Sequence, residues 1–318
     1  MQQYHGLVSA MAEERPDYLF LPMLRELPRV KSETHSTVCP VSQSAPDVLR
    51  WDLPEENRPR IVSPVIDMGH GVLDSEPFLK ACDELAQALG IERESEWRAA
   101  WSEARDAQLR FDEALLDSGR RALDFCQDRG VTPIVVLGRA YTIHNAVLNS
   151  NVPAILREQG AIAIPVDCLP VPEDAPNFDD VFWGYSRRIL RAAWQVRRMP
   201  GVYTIFCSNY SCGPDSFTVH TYSWLMEGKP FAIIETDGHS GDAGTKTRVE
   251  AFLHCVHGDL RAQTRPEPKD ERRLHVARQR ITELAEKKER VLIPPMGLEA
   301  QAVAAAFRGL GVPAEVLP

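Results

Sequence analysis

The sequence lacks the features that would place it in a membrane, a secretory route or a nucleic-acid complex. None of its 318 residues belongs to an apolar run near the roughly 18 residues of a membrane span. Its first residues do not join a basic stretch to an apolar core, so no signal peptide is predicted. The net charge is −9 and no basic cluster occurs, which argues against a phosphate-binding surface. We therefore expect a cytoplasmic protein with neither a membrane nor a nucleic-acid partner.

Short motifs for common cofactors are also missing. There is no G-x-x-x-x-G-K-[ST] nucleotide loop and no G-x-G-x-x-G at a strand-to-helix turn. The seven cysteines are widely spaced and include no C-x2-C pair, which disfavours both a disulfide framework and a zinc site. They are most simply interpreted as cytosolic thiols.

What the chain does contain is a repeated order of short apolar runs, polar loops and amphipathic helices. The runs include "PIVVLG", "AIAIPVD", "VYTIFC" and "FAIIETD", which do not alternate and so suit strands buried on both faces. The intervening segments predict helices, one of them running from a Ser95 N-cap to Gly130. This order predicts an α/β fold, with Rossmann-like domains of parallel sheet and helices on both faces.

The same pattern divides the chain into four parts. We predict an N-terminal α/β segment with extra helices over 1–130, with two convincing strands, and a parallel α/β domain over 131–257. A charged helical linker would cover 258–290. Residues 291–318 would begin a further βαβ unit or return to the first domain. Because one such unit cannot bury a core alone, we expect a piece of a longer chain.

The seven cysteines separate into two groups. Cys82, Cys126 and Cys255 lie in helical segments beside apolar residues and are predicted to be small buried hydrophobes. Cys207 is predicted to end a strand and not to be a ligand. Three others lie in polar, proline-containing turns: Cys39, Cys168 and Cys212. A proline after a ligand thiolate stiffens the turn, so these three are candidate ligands of an iron–sulfur cluster, with a reactive thiol or plain structural cysteines as alternatives.

Further polar residues follow predicted strands, where parallel sheets place their ligands. Arg139 is a candidate for an anionic cofactor group or for a structural ion pair, and Tyr141 and Asp237 are further cofactor candidates. His239 is either a proton donor or a helix cap. Asp215 and Ser216 are either catalytic or N-capping residues.

Taken in order, the motifs "VCPVSQSAPD", "LGRAYTIHNAVLNSNVPAILREQGAIAIPVDCLP", "NYSCGPDSF" and "GKPFAIIETDGHSGDAGTKTRVEAF" resemble one family. It is the iron–sulfur part of the acyl-CoA dehydratase activase-related proteins, which are similar to 2-hydroxyacyl-CoA dehydratase and benzoyl-CoA reductase subunits and to double-cubane-cluster proteins. The resemblance extends from about residue 16 to 318.

The resemblance implies a function and its partners. Cys39, Cys168 and Cys212 fall where such proteins have cluster cysteines, so a [4Fe-4S] or double-cubane cluster is expected. Electrons would come from an ATP-hydrolysing iron–sulfur activase, and ATP would enter only through that partner. The substrate would be an acyl-CoA or another small molecule, and a dimer is left open. Two alternatives remain: a non-catalytic relay or activase-binding module, and a CoA- or nucleotide-binding domain without a cluster.

Overall fold

The computed structural model describes residues 2–30, 32–53, 59–71, 73–210, 212–236, 241–262, 266, 269 and 279–318. It divides the chain into two compact units, Met1–Glu271 and Arg272–Pro318. None of the described helices is long and apolar enough to cross a membrane.

The strands and helices of the described residues follow one another in an α/β order. The strands are β1 (Tyr18–Phe20), β2 (Met23–Glu26), β3 (Arg60–Val62), β4 (Val65–Asp67), β5 (Thr132–Leu137), β6 (Ala161–Pro165), β7 (Tyr203–Asn209), β8 (Phe231–Thr236), β9 (Val291–Ile293) and β10 (Ala314–Val316). The helices are α1 (Gln2–Glu13), α2 (Pro40–Asp52), α3 (Glu76–Ala88), α4 (Glu94–Arg129), α5 (Ala140–Ile143), α6 (Val152–Glu158), α7 (Gly184–Arg198), α8 (Gly213–Met226), α9 (Asp242–Ala262), α10 (Ile281–Glu286) and α11 (Leu298–Gly309).

A four-stranded parallel sheet forms the centre of the first unit. Its strand order is β6-β5-β7-β8, and every pair of neighbours is parallel. The apolar residues of β5 are almost completely buried, as the uninterrupted run "PIVVL" predicts for a strand covered on both faces. Helices α4, α6, α7 and α9 pack around this sheet. The predicted α/β fold with parallel sheets is confirmed.

The N-terminal part of the first unit contains more strands than predicted. Four short strands form two parallel pairs, β1 with β3 and β2 with β4, where two convincing strands were expected. The run "RIVSPVI" is split at Ser63 and Pro64 into β3 and β4, because proline has no N–H to donate to a ladder. Helices α1 and α2 cover β1 through a small apolar core that contains Val8, Leu19 and Leu49.

The N-terminal part is joined to the parallel sheet at the start of α7. Arg187 is almost fully buried, and its Nη1 donates to the carbonyl oxygen of His35 at 2.8 Å. A Cβ on Gly184 would lie 2.3 Å from Oγ of Ser36, so glycine is required where the two segments meet. The backbone N–H of Gly184 donates to Thr37, two residues before Cys39. This contact places the Cys39 turn against α7.

Helix α4 is the longest described element, with 36 residues. Its N-cap is Arg93 and not the predicted Ser95, which lies two residues later, inside the helix. The helix ends as predicted at Gly130, whose φ of +64° favours glycine. The second unit is a parallel pair of β9 and β10 connected by α11, with Ile293, Ala300 and Ala304 in its core.

Candidate functional site

The site lies where the strand order of the central sheet reverses. From β5 the chain passes to β6 on one side, and it then returns past β5 to β7 on the other side. In open parallel sheets, the carboxyl ends of the two strands that flank such a reversal form a crevice in which ligands bind. The residues that follow β5 and β7 here are Gly138–Arg139 and the turn that leads to Cys212.

Gly138 allows these two strand ends to approach each other. Its φ is +151°, a conformation that favours glycine. A Cβ at this position would lie 2.7 Å from the carbonyl oxygen of Cys207 in β7 and 2.8 Å from a methyl group of Ile143. The backbone of β5 therefore passes directly beside β7 and carries Arg139 toward the Cys212 turn.

The guanidinium of Arg139 connects two residues of the α8 N-terminus. Its Nη2 lies 2.6 Å from Sγ of Cys212 and 2.6 Å from Oδ1 of Asp215. The other carboxylate oxygen, Oδ2 of Asp215, accepts a hydrogen bond from Oγ of Ser208 at 2.5 Å. Arg139, Ser208 and Asp215 are all buried. Each oxygen of the Asp215 carboxylate thus has a partner, as a buried charge requires.

The charges in this group stabilise the Arg139–Asp215 ion pair, and they do not favour ionisation of the Cys212 thiol. Burial is the largest single effect and acts to lower the pKa of Arg139. The charge of Asp215, together with smaller effects of Tyr141 and Cys212, outweighs it, so the net shift of this pKa is upward. Burial raises the pKa of Cys212, as does the charge of Asp215, and the opposing effect of Arg139 is smaller. Cys212 is therefore a thiol held by a cation, and a metal ion would have to displace its proton.

Cys212 also has a structural role at the start of α8. It occupies the N-cap position, and its Sγ accepts a hydrogen bond from the backbone N–H of Asp215 at 3.5 Å. The N-cap is thus Cys212 and not Asp215 or Ser216. The side chain of Ser216 is exposed and donates back to the carbonyl oxygen of Cys212 at 2.9 Å. The helix N-terminus supplies N–H donors that favour a developing thiolate.

Tyr141 and Tyr185 extend the site along the sheet edge. The Arg139 guanidinium lies 5.8 Å from the ring centre of Tyr141. The rings of Tyr141 and Tyr185 meet edge to face at 6.5 Å. Beyond them, Asp167 contacts His144 and Arg188. His144 and Asp167 belong to polar segments that follow predicted strands, but the sequence did not predict that they meet each other or Arg188 of α7.

Cys168 lies at the end of the neighbouring strand and is buried. It closes the helical turn at 166–168, and helix α4 covers this turn so closely that a Cβ on Gly119 would lie 1.7 Å from the carbonyl oxygen of Cys168. Burial raises the pKa of the Cys168 thiol, and the charge of Asp167 raises it further. Cys39 is the N-cap residue of α2 and is partly buried, without a hydrogen bond from its side chain to the helix.

The three candidate ligands are not gathered into a metal site. Across the described ranges, no group of three or more His, Cys, Asp or Glu side chains could hold a metal ion. As placed, Cys39, Cys168 and Cys212 do not fit a cluster held by all three, and Sγ of Cys212 is engaged with Arg139. The cluster therefore stays a prediction, and no chemical step is derived through it.

Of the remaining predicted residues, Cys82 is only partly buried on α3 and not fully buried as predicted. Asp237 and His239 lie outside the described residues. Cys207 is buried within β7, two residues before its end, and Cys126 is buried on α4. Cys255 is exposed on α9, so the prediction that it is buried is wrong, because its position faces away from the core side that Phe252 and Val256 occupy.

Comparison with known proteins identifies the family. A family model described as the CoA enzyme activase uncharacterised domain matches residues 1–169, which are 169 of the 318 residues. The match includes Cys39, Arg139, Tyr141 and Cys168 and ends before Cys212. Comparison with curated proteins and with solved structures gave no match. Since the model covers more than half of the chain, this protein belongs to the CoA enzyme activase uncharacterised domain family.

Proposed function

We propose that this chain is the iron–sulfur component of an ATP-dependent low-potential reductase or 2-hydroxyacyl-CoA dehydratase-like system. In this role it receives electrons from an ATP-hydrolysing iron–sulfur activase. Membership of a CoA enzyme activase-related family supports the link to CoA enzymes. The motif around Cys212, "NYSCGPDSF", supports the finer assignment through its resemblance to cluster-binding relatives.

The observation that carries the proposal is the position of the Cys212 thiol. Sγ lies at the reversal point of the sheet, 2.6 Å from a buried guanidinium and 3.5 Å from a backbone N–H. N–H donors around a ligand sulfur stabilise its thiolate form and tune the potential of an iron–sulfur centre. We assign Cys212 as one ligand. Because Cys39 and Cys168 as placed do not complete a cluster with it, their part as ligands stays a prediction.

The test is the content of iron and acid-labile sulfide after strictly anaerobic preparation. The parent chain is compared with Cys212→Ala and with Cys82→Ala, which removes a thiol from α3 far along the chain from the site. We expect matching iron and sulfide in the parent and in Cys82→Ala, and their loss in Cys212→Ala. A folded parent without iron, or equal iron in all three proteins, would contradict the proposal.

A second candidate is a CoA- or nucleotide-binding domain without a cluster. The half-exposed guanidinium of Arg188 at the strand ends supports it. It predicts that a metal-free chain binds CoA at the strand ends, measurable by isothermal titration calorimetry. Arg139 is buried in its pair with Asp215, whereas Arg188 is paired with Asp167 but half-exposed and so within reach of a ligand. Arg188→Gln should therefore weaken CoA binding. Unchanged affinity in this variant would count against the second candidate.

A further inference from the structure

A second group of ionisable side chains lies along the same edge of the sheet as Cys212. His144 follows α5, and Asp167 follows β6. Nε2 of His144 lies 3.1 Å from Oδ2 of Asp167. The other carboxylate oxygen, Oδ1, accepts a hydrogen bond from Nη1 of Arg188 in α7 at 3.2 Å. Three elements therefore converge on one carboxylate, which has a partner on each oxygen.

This arrangement selects one tautomer of the imidazole. An ionised carboxylate can only accept a hydrogen bond, so Nε2 of His144 must carry the proton. Nδ1 then retains its lone pair when the ring is neutral, and Asp167 stabilises the ring when it becomes charged. The side chain of Asp167 is 16% exposed and that of His144 is 49% exposed. The carboxylate is thus sheltered, while the imidazole is open to a ligand.

The backbone around His144 is held in place by its own loop. The N–H of His144 donates to the carbonyl oxygen of Ala140 at 3.1 Å. Oδ1 of the next residue, Asn145, accepts from the backbone N–H of Val147 at 3.0 Å. The loop ends in Ser150 and Asn151, whose φ values of +46° and +55° are uncommon for residues other than glycine. Such conformations persist where the surroundings determine them, and they concentrate at functional sites.

Continuous contacts connect this group with the thiol. Arg139, which contacts Sγ of Cys212, also lies against the ring of Tyr141. Tyr141 meets Tyr185 edge to face, and the guanidinium of Arg188 lies 6.0 Å from the ring centre of Tyr185. The two tyrosines therefore form an aromatic wall between the thiol and the His144–Asp167 pair. A ligand that lies along this wall would meet both.

We propose that His144 transfers a proton to and from a CoA thioester bound along this edge, and that Asp167 is its positioning residue. The inference rests on the proposed function for its substrate class. Nδ1 accepts the proton from the carbon beside the thioester carbonyl, and the electron pair of the broken C–H bond stays on that carbon. Asp167 stabilises the resulting imidazolium, which later returns the proton to the product. The charged group in contact with the ring is Asp167, which also holds Arg188. The ring of Tyr185 lies against the guanidinium of Arg188.

The first test measures the tautomer of His144 directly and does not depend on turnover. Long-range 1H–15N spectra of the full chain with 15N-labelled histidine report which ring nitrogen carries the proton, and His144→Gln assigns the signal. We expect a larger share of the Nε2–H form at His144 than at His254 in the parent, and a share close to that of His254 in Asp167→Ala, which removes the acceptor. The exposed His254 on α9 is the internal control. A tautomer ratio at His144 equal to that of His254 in the parent, or one unchanged in Asp167→Ala, would overturn the role of Asp167.

The second test uses acetyl-CoA in D2O and follows deuterium incorporation at its methyl carbon by mass spectrometry. General acid–base groups contribute about 10²- to 10⁴-fold, so exchange should fall by about that factor in His144→Gln. Exchange that is absent in the parent, or equal in parent and variant, would overturn the proposal. Iron content distinguishes a failure of the cluster proposal from a failure of the proton-transfer proposal. Exchange that depends on His144 in an iron-free chain would reject the cluster and retain the proton-transfer role. Iron without exchange would retain the cluster and reject the proton-transfer role.

Discussion

Arg139 and Asp215 form a buried ion pair across the reversal point of the sheet, with Nη2 of the arginine 2.6 Å from Oδ1 of the aspartate. Their side chains are only 6% and 5% exposed. The arginine follows β5, and the aspartate lies in the first turn of α8, so the pair joins the two sides of the crevice. The thiol of Cys212 is held by the same guanidinium.

Removal of one partner from this pair should be strongly destabilising. Arg139→Met leaves the Asp215 carboxylate buried with Ser208 alone, and we expect the free energy of unfolding to fall by about 3–5 kcal/mol. Asp215→Asn should also be destabilising, and the double variant should lose less than the sum, because it leaves no unpaired charge. Urea unfolding at neutral pH measures the free energy of unfolding of the two single variants and the double variant.

The control for this series is Arg98→Met on α4, which breaks an exposed pair with Glu94. Pairs of this kind contribute about 0–1 kcal/mol, so the control should stay close to the parent. Additive effects of the two buried substitutions would show that the residues act independently.

The contact between α4 and the Cys168 turn predicts a large effect of one added methyl group. In Gly119→Ala the new Cβ would lie 1.7 Å from the carbonyl oxygen of Cys168, so the helix or the turn must move. We expect a loss of about 1–3 kcal/mol in urea unfolding, together with faster alkylation of Cys168. Gly258→Ala in α9 is the matched control, because a Cβ there meets nothing within 4 Å. It should stabilise the chain by about 0.5–1 kcal/mol. Equal stability of the two variants would refute this packing.

The buried thiol of Cys207 should make stability depend on alkaline pH. Complete burial raises the pKa of Cys207 from 9.0 to about 12 in the folded chain. Between these values the folded state binds more protons than the unfolded state, so stability falls as pH rises. The thiol should contribute a slope of about −1.4 kcal/mol per pH unit in that window.

Comparison with Cys207→Ala isolates this contribution, since all other groups titrate equally in both proteins. The difference in the free energy of unfolding between parent and variant should be constant below pH 9. Above pH 9 the parent should lose stability relative to the variant. Val136→Ala in β5, which removes buried carbon but no ionisable group, should keep the slope of the parent. A difference that is independent of pH would contradict a buried, protonated thiol.

Alkylation of the reduced native chain should rank the cysteines by burial. Iodoacetamide reacts with accessible thiolates, so the exposed Cys255 should react first. Cys126 and Cys207 are buried, and burial raises the pKa of both thiols, so they should react only on unfolding. Mass spectrometry of a time course gives the order. Early modification of Cys207 would contradict the burial of β7.

Much of the fold could be predicted from local sequence patterns. The apolar runs of β5, β6, β7 and β8 lie within two residues of the predicted strands, because a strand buried on both faces must be apolar throughout. The end of α4 at Gly130 was equally readable, since a left-handed C-cap favours glycine. The shorter strands could not be predicted in this way. Strand β2 carries Arg25 and Glu26, and its pattern is too brief and too polar to distinguish from a loop.

The site shows which features local sequence patterns predict and which depend on tertiary contacts. Hydrophobic periodicity shows where strands end, so the sequence is enough to predict that Arg139, Cys168 and Cys212 follow strands. The partners of these residues depend on the three-dimensional fold. Arg139 meets Asp215 across 76 residues, and His144 meets Asp167 across 23. Such pairings depend on strand order and on close approaches at Gly138 and Gly119. Local periodicity carries no record of them, because it specifies which face of an element is buried and not which element covers it.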